Sequence, residues 1–303
     1  MKIYDLIVVG AGPAGLAATA YANQVQLDVL LVAPDLGGKV SSSYIMNSSS
    51  PHNLLWGSEL VSELVQQIRE ETDLYQRAAV ESIRQNGLGL FELSLHHQGE
   101  PLLARAVIVA SGVKPQRLYV AGEEQFWGKG VSYSALSHAP LFVGREVAVI
   151  GQNERALAAL LKLASIAQRV YWLPLGDEVG SPAQLKLVEQ NPKIVSLEGW
   201  HIERIAGEAF VTQIELQQSY SIRYLPVEGI FIEMGLLPNT DLVRNLLHLE
   251  LDSLIPVNQR CETEVPGLYA AGDVTNVHAE QVPVAIGEGV KAAISAWEWL
   301  VHQ

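Results

Sequence analysis

Three glycines near the start of the sequence constrain its fold more than any other feature. Gly10, Gly12 and Gly15 follow the apolar run 6–9 directly and precede the alanine-rich stretch 16–24. Between a strand and a helix, the first such glycine permits a tight turn, the second lets the backbone approach a pyrophosphate, and the third lets the helix pack on the strand. The helix N-terminus adds amide donors and the positive end of the helix dipole. The pattern predicts a dinucleotide-binding unit.

A second unit of this kind begins in the middle of the chain. It is predicted as a strand, a turn, a helix and a strand at 146–150, Gly151, 155–167 and 170–173. Near the end of the chain, a buried strand at 268–271 and a helix from about 284 to 301 resemble the elements of the first unit. We therefore predict an α/β protein with two Rossmann-like domains, each with three layers (ββα), and with the second domain inserted into the first.

Composition narrows the function classes. The 303 residues are 49% hydrophobic, so the chain can build a sizeable core, and the net charge of −13 argues against nucleic-acid binding. No apolar run approaches the roughly 20 residues of a membrane helix, and we expect a cytosolic protein with no metal site. Cys261 is the chain's single cysteine, so an intramolecular disulfide is excluded.

Several motifs in one order carry a family resemblance over nearly the whole chain. They lie at 5–15, 37–38, 120–132, 235–240 and 265–274, the last reading Val-Pro-Gly-Leu-Tyr-Ala-Ala-Gly-Asp-Val. In these stretches the sequence resembles the low-molecular-weight thioredoxin reductases, which are two-domain FAD proteins. The resemblance implies an FAD domain at 1–113 and 244–303, a smaller domain at 114–243 that normally binds NADPH, a homodimer and an oxidoreductase activity.

The resemblance also implies which residues contact FAD. For Asp273 and Asp35 the sequence alone leaves two roles open. Each is either an acceptor for the sugar-like hydroxyls of the cofactor or a turn residue. Asp35 enters because Ala33 stands where an acid is expected at the end of the second strand. The predicted cofactor-binding residues are Gly10, Gly12, Pro13, Ala14, Gly15, Asp35, Gly38, Lys39, Asn47, Ala110, Ser111, Gly112, Gly272, Asp273, Gln281 and Val282.

The family's redox disulfide is missing. Its two cysteines, separated by two residues, correspond to Ser134 and Ser137, and a serine hydroxyl forms no disulfide. The following residues, from His138 to Pro140, also depart from the family pattern, which favours natural divergence over engineering. His138 stands at the family's acid position. It is either a proton donor near the flavin or an exposed loop histidine, and we favour the latter.

The second glycine motif is altered too. Asn153 replaces the glycine that would approach a pyrophosphate, and Glu154 adds a negative charge near the helix N-terminus. No lysine or arginine occurs at 170–185, where the family binds the 2′-phosphate of NADPH. We expect NADPH binding to be lost or much weakened. The alternative is NADH binding through Asp177, which we rank lower.

Charge is unevenly distributed. The segment 105–169 has a net charge of +4, while the remainder of the chain has −17. A basic face formed by this segment would suit an acidic electron carrier such as ferredoxin, although the same residues also fit an ordinary solvated surface.

Three functions remain open. The first is an FAD-dependent oxidoreductase of thioredoxin-reductase type that uses the flavin alone, with ferredoxin or a thiol/disulfide protein as redox partner. This interpretation includes a form with a second FAD beside the first, as in diflavin-linked disulfide oxidoreductases. The second is a non-catalytic FAD-binding sensor or scaffold. The third is an NAD(P)H-dependent reductase of the ferredoxin–NADP reductase type, which needs an intact second glycine motif.

Overall fold

Contacts within the chain divide it into two units. A computed structural model describes residues 2–40, 57–71, 73–96, 99–176, 179–249, 253–277 and 280–303. The outer unit comprises Met1–Ser41, Trp56–Lys114 and Leu237–Gln303, and the inserted unit covers Pro115–Leu236 among the described residues. The assignment of FAD to 1–113 and 244–303, and of a nucleotide-type domain to 114–243, stays a prediction.

Strands and helices alternate in both units. The strands are β1 (Ile3–Val9), β2 (Val29–Ala33), β3 (Tyr75–Arg77), β4 (Val80–Gln85), β5 (Phe91–Leu95), β6 (Leu102–Val109), β7 (Val113–Pro115), β8 (Val131–Ser132), β9 (Glu146–Ile150), β10 (Arg169–Leu173), β11 (Ile194–Ser196), β12 (His201–Gly207), β13 (Val211–Gln218), β14 (Ser221–Pro226), β15 (Gly229–Ile232), β16 (Leu236–Pro238) and β17 (Leu268–Ala270). The helices are α1 (Pro13–Gln24), α2 (Ser58–Glu70), α3 (Ala135–His138), α4 (Glu154–Ile166), α5 (Pro182–Glu189) and α6 (Val282–Val301). Among the described residues, no helix combines the length and the apolar character needed to cross a membrane.

The outer unit is built on a sheet ordered β3-β2-β1-β6-β5-β4, with β17 also paired to β6. β1 pairs in parallel with β2 and β6, and β17 pairs in parallel with β6. In this register Val9 lies opposite both Val32 and Val109, and Ala270 lies opposite Val109. The carboxyl ends of four parallel strands therefore meet at one edge, where open α/β sheets bind their ligands.

Both faces of this sheet are covered. Leu6 and Val8 belong to a core shared with helices α1, α2 and α6, while Ile7 and Val9 belong to a second core with β4 and β5. Because successive strand side chains point to opposite faces, the continuous apolar run of β1 serves two cores at once. Helices thus pack on one face of the parallel strands, and on the other face these strands share a core with β4 and β5, the antiparallel end of the same sheet.

The inserted unit repeats this plan. Its parallel sheet is ordered β11-β10-β9-β15-β8, and β12, β13 and β14 form an antiparallel sheet. Val147 and Val149 pack into a core with α4, while Ala148 and Ile150 pack into a core with the antiparallel sheet. The chain returns to the outer unit after β15. The predicted fold class, two Rossmann-like domains with the second inserted into the first, is confirmed.

Candidate functional site

The glycine turn after β1 is shaped by contacts that exclude a side chain. Gly10 has φ +103, and a Cβ there would lie 2.3 Å from the Ala110 carbonyl oxygen. A Cβ on Gly15 would lie 1.7 Å from the Gly10 carbonyl oxygen. The turn therefore packs tightly against β6, and α1 packs tightly against the turn.

Gly12 differs from these two glycines. It precedes α1 with φ −72 and ψ −176, and no side chain of the described residues caps the helix start. A Cβ built on Gly12 meets no atom of the described part of the chain within 4 Å, although the φ of Gly12 is one that any residue adopts. The N-terminal amides of α1 thus lie beside open space, which is the arrangement that a pyrophosphate requires.

Two further turns lie against this helix start. A Cβ on Gly38 would lie 2.8 Å from the Gly12 Cα, and one on Gly272 would lie 3.0 Å from the Ala14 Cβ. Lys39 Nζ and Asp273 Oδ2 form an ion pair at 2.6 Å, and the Asp273 side chain is only 16% exposed. The structure therefore brings the Gly37–Gly38 turn, the glycine turn and the Gly272–Asp273 turn together.

The remaining predicted cofactor residues lie at several places. Ser111 follows β6, between Ala110 and Gly112. Its hydroxyl donates to the Asn239 carbonyl oxygen at 2.7 Å. Gln281 and Val282 stand at the start of α6. Asn47 and Asp177 lie outside the described residues.

Within the described parts of the chain, Asp35 has no recorded hydrogen bond or ion pair with the other predicted cofactor residues. It forms a largely exposed ion pair with Arg77 at 3.2 Å. Together with Tyr75, this pair lines an open cleft of about 320 Å³ beside α2. Its role at the ribose stays a prediction.

The serine segment that replaces the disulfide lies in the inserted unit. Ser134 caps α3, since its hydroxyl oxygen accepts from the Ser137 amide at 3.3 Å, and it donates to the Ser137 hydroxyl at 3.2 Å. His138 ends this helix and is half-buried. Its Nδ1 lies 2.7 Å from the Ser132 hydroxyl oxygen. The expectation of an exposed loop histidine is therefore wrong, because the ring packs inward and hydrogen-bonds to β8.

Burial lowers the pKa of His138 from 6.5 to about 4. The folded chain then holds a neutral imidazole at pH 7, which is a poor general acid. Between pH 6.5 and 4 the unfolded chain binds a proton at this side chain and the folded chain does not, so stability falls as the pH drops through this window.

This linkage gives a testable pH dependence. From about pH 7.5 to about pH 5, the wild type should lose more stability in urea unfolding than His138→Asn, which does not titrate there. Equal losses in the two proteins would show that the ring is not held neutral by the fold.

Cys261 is far in sequence from the serine segment and lies in the outer unit. It is 1% exposed, its thiol donates to the Glu288 carbonyl oxygen at 3.7 Å, and burial raises its pKa to about 11. The thiolate is the reactive form, so this cysteine is inert in the folded chain.

A thiol titration tests this assignment. The native chain should react with a disulfide reagent such as dithionitrobenzoate far more slowly than the urea-unfolded chain, and the unfolded chain should show one thiol. Equally fast reaction of the native chain would be incompatible with a buried, protonated Cys261.

The helix start after the second glycine motif is already capped. The Asn153 side-chain oxygen accepts from the Ala156 amide at 2.9 Å, and its amide donates to the Met234 carbonyl oxygen at 3.0 Å. The Gly180 backbone also lies against this turn, since a Cβ there would be 2.9 Å from the Glu154 nitrogen. The start of α4 thus offers neither the uncapped amides nor the open space found at α1.

A buried ion pair lies next to this capped helix start. Arg155 pairs with Glu233, whose side chain is 2% exposed, and it also donates to the Tyr133 carbonyl oxygen at 3.1 Å. The second Glu233 oxygen accepts from the Ala135 amide at 2.5 Å. This pair ties the serine segment to α4. The sequence offers only a weak signal for it, an acid directly after the apolar strand β15.

The basic residues of segment 105–169 are largely paired within the chain. Arg105, Arg117, Arg145 and Arg155 each form an ion pair with an aspartate or glutamate, and Lys162 donates to a backbone carbonyl. These pairs reduce the charge that the segment offers to an acidic partner.

Comparisons with known proteins agree with this architecture. The chain is 32% identical to an alkyl hydroperoxide reductase component of Xanthomonas campestris pv. phaseoli, over 99% of the chain but only 58% of that relative. It is 29% identical to thioredoxin reductase of Ureaplasma parvum serovar 3, over 99% of the chain and 98% of that relative. These relatives are oxidoreductases, consistent with the predicted enzyme class.

Solved structures show the same fold. The thioredoxin reductase of Streptococcus pyogenes has a TM-score of 0.89 at 23% identity, covering 99% of both chains. A ferredoxin-flavin thioredoxin reductase of Clostridium acetobutylicum has a TM-score of 0.50 at 28% identity, again covering 99% of both chains. The sequence profile of the pyridine nucleotide-disulphide oxidoreductases matches residues 4–289. Membership of this family implies FAD binding. The chain therefore belongs to the pyridine nucleotide-disulphide oxidoreductase family and resembles its thioredoxin reductases.

Proposed function

We propose that the protein is an FAD-dependent oxidoreductase that exchanges electrons through its flavin with a partner protein, without a disulfide of its own and without a pyridine nucleotide. The observation that carries this proposal is the contrast between two helix starts. Among the described residues, no side chain caps α1 and none lies within 4 Å of a Cβ built on Gly12, whereas α4 is capped by Asn153 and covered by Gly180.

The outer unit supplies the groups that FAD needs. The α1 amides and Gly12 would receive the pyrophosphate, and Asp273 would accept hydrogen bonds from the sugar-like chain. Lys39, paired with Asp273 at 2.6 Å, would partly neutralise that carboxylate beside an anionic cofactor. Bound FAD supplies a ring that takes up or gives one or two electrons.

The serine segment cannot relay electrons to a disulfide substrate. Ser134 and Ser137 hydrogen-bond to each other at 3.2 Å, and neither hydroxyl is converted to a nucleophile of thiolate strength by a neighbouring base in the described contacts. Cys261 is buried and protonated. A partner must therefore exchange electrons with the flavin directly.

Ferredoxin or a thiol/disulfide protein fits the partner role. The structural similarity to a ferredoxin-flavin thioredoxin reductase supports a one-electron protein donor, although the ion pairs within 105–169 leave less basic surface than the sequence predicts. We propose one FAD per chain, a homodimer and a cytosolic location. A second flavin remains the alternative that the sequence raised.

Two measurements test the proposal. Flavin released on denaturation should approach one per chain, and a value near two would instead support the second flavin. Under anaerobic conditions, reduced ferredoxin or a dithiol protein should bleach the bound flavin, and the reduced flavin should pass electrons on. Failure of every protein donor and acceptor, with dithionite still bleaching the flavin, would favour the sensor or scaffold instead.

A further inference from the structure

One buried carboxyl group of the outer unit lies outside the proposed cofactor contacts. Glu288 lies on α6, is 5% exposed, and accepts a hydrogen bond from the Gly272 amide through Oε2 at 2.8 Å. Its Oε1 has no hydrogen-bond partner within the part of the chain that the structure describes. A buried carboxyl that is only half satisfied is costly, so its presence at this position calls for a function.

The contacts of Glu288 fix the turn that carries Asp273. The Gly272 amide donates to Glu288. The Gly272 carbonyl oxygen accepts from the Thr275 hydroxyl at 2.8 Å and from the Thr275 amide at 2.9 Å. Gly272 has φ +78, a conformation that L side chains rarely adopt. Both backbone polar groups of this residue are therefore bound by buried residues.

Glu288 itself is held in place by close helix packing. A Cβ on the next residue, Gly289, would lie 2.0 Å from the Ala14 carbonyl oxygen, so α6 and α1 approach each other at this point. Ala14 belongs to the first turn of α1, where the pyrophosphate is proposed to bind. The same helix contact thus sets the position of Glu288 relative to both the Gly12 turn and the Gly272–Asp273 turn.

We propose that Glu288 is a positioning residue for the cofactor, acting through the Gly272 amide to aim the Asp273 carboxylate into the FAD site. This inference rests on the proposed FAD site. Glu288 does not touch the cofactor in this assignment. It holds the backbone from which Asp273 projects, and the exact placement of Asp273 then decides how well its carboxylate meets the cofactor hydroxyls.

Three variants test this role through the FAD dissociation constant of the apo chain. Glu288→Gln keeps an oxygen acceptor of the same size and should bind FAD within about threefold of the wild type. Glu288→Leu removes the acceptor and should weaken binding by about 10- to 100-fold. The control is Ser295→Ala on the same helix. Ser295 is also buried, with 3% of its surface exposed, and this variant should bind FAD like the wild type.

A double-mutant cycle separates positioning from general destabilisation. If Glu288 acts through Asp273, Glu288→Leu should have little further effect in an Asp273→Ala background. Equal FAD affinity of wild type and Glu288→Leu, or fully additive losses in the cycle, would overturn the inference. If Glu288→Leu does not fold, Glu288→Asp, whose carboxylate is one methylene shorter, replaces it with the same expectation.

The outcome for the wild type is independent of this inference. A wild-type chain that takes up no FAD would contradict the proposed function itself. A wild-type chain that binds FAD, with variants that bind equally well, would contradict only the role of Glu288.

Discussion

Replacing Gly12 with alanine should weaken FAD binding by about 10- to 100-fold while leaving the apo fold intact, since forcing a methyl group into a filled site costs about 1–3 kcal/mol. The added methyl group meets none of the described residues within 4 Å, and the φ of −72 suits alanine. The methyl group would occupy the space in front of the α1 amides where the pyrophosphate is proposed to bind. Flavin fluorescence titration of the apo chain gives the dissociation constant, and thermal unfolding gives the stability.

The matched control for this variant is Gly287→Ala. Gly287 lies within α6, and a Cβ there is likewise more than 4 Å from every residue that the structure describes. Alanine in a helix interior is favoured over glycine by up to about 1 kcal/mol, so this variant should be as stable as the wild type or slightly more stable. Gly12→Ala with unchanged FAD affinity would show that the pyrophosphate does not bind at this turn.

Replacing Arg155 with methionine should lower the free energy of unfolding by about 3–5 kcal/mol, because it leaves the Glu233 carboxylate buried without its guanidinium partner. The Glu233 side chain is only 2% exposed and has its other oxygen on the Ala135 amide. Urea unfolding followed by circular dichroism measures the loss. The serine segment should also become more susceptible to proteolysis, since Arg155 and Glu233 together hold residues 133–135.

Arg145→Met provides a closely matched control. Arg145 is 27% exposed and Arg155 is 26% exposed, but the partner of Arg145, Glu228, is 52% exposed. A partly solvated pair contributes about 0–1 kcal/mol, so this variant should lose at most about 1 kcal/mol. The double variant Arg155→Met with Glu233→Gln should recover part of the loss. Equal, small losses for both arginine variants would mean that the Arg155–Glu233 pair does not hold the segment.

The main lines of the fold could be predicted from local patterns. β1 and β9 are continuous apolar runs because each serves two cores, and each run ends in a glycine turn that opens a helix. A run of this kind has few other interpretations, so the sequence sufficed to predict two Rossmann-like units. The return of a strand and a helix near the end then predicted the insertion.

The side-chain partners in the candidate site could not be predicted in this way. Lys39 pairs with Asp273 across 234 positions, and Arg155 pairs with Glu233 across 78 positions. Such partners depend on strand order and register, on which no local pattern reports. His138 is a different case, because its partner Ser132 lies only six positions away, and the ring turns inward at the end of the short helix α3.

The altered second motif illustrates what each level contributes. The sequence shows that Asn153 stands where a glycine is needed, which predicts weaker nucleotide binding. The structure adds the physical reason, since Asn153 uses its side chain to cap α4 and Gly180 covers the same turn. Asn153 therefore does more than replace a glycine, because its side chain stabilises the helix start against which the pyrophosphate of a nucleotide would bind.

The proposed function implies that the chain binds FAD and that neither NADPH nor NADH reduces this flavin. Its most direct test is an anaerobic titration of the FAD-loaded chain with NADPH and, separately, with NADH, followed by the visible absorbance of the flavin. Neither nucleotide should change this absorbance at stoichiometric amounts, and dithionite should then bleach the flavin. Stoichiometric bleaching by NADPH or NADH would show that a pyridine nucleotide reduces the flavin, against the proposed function.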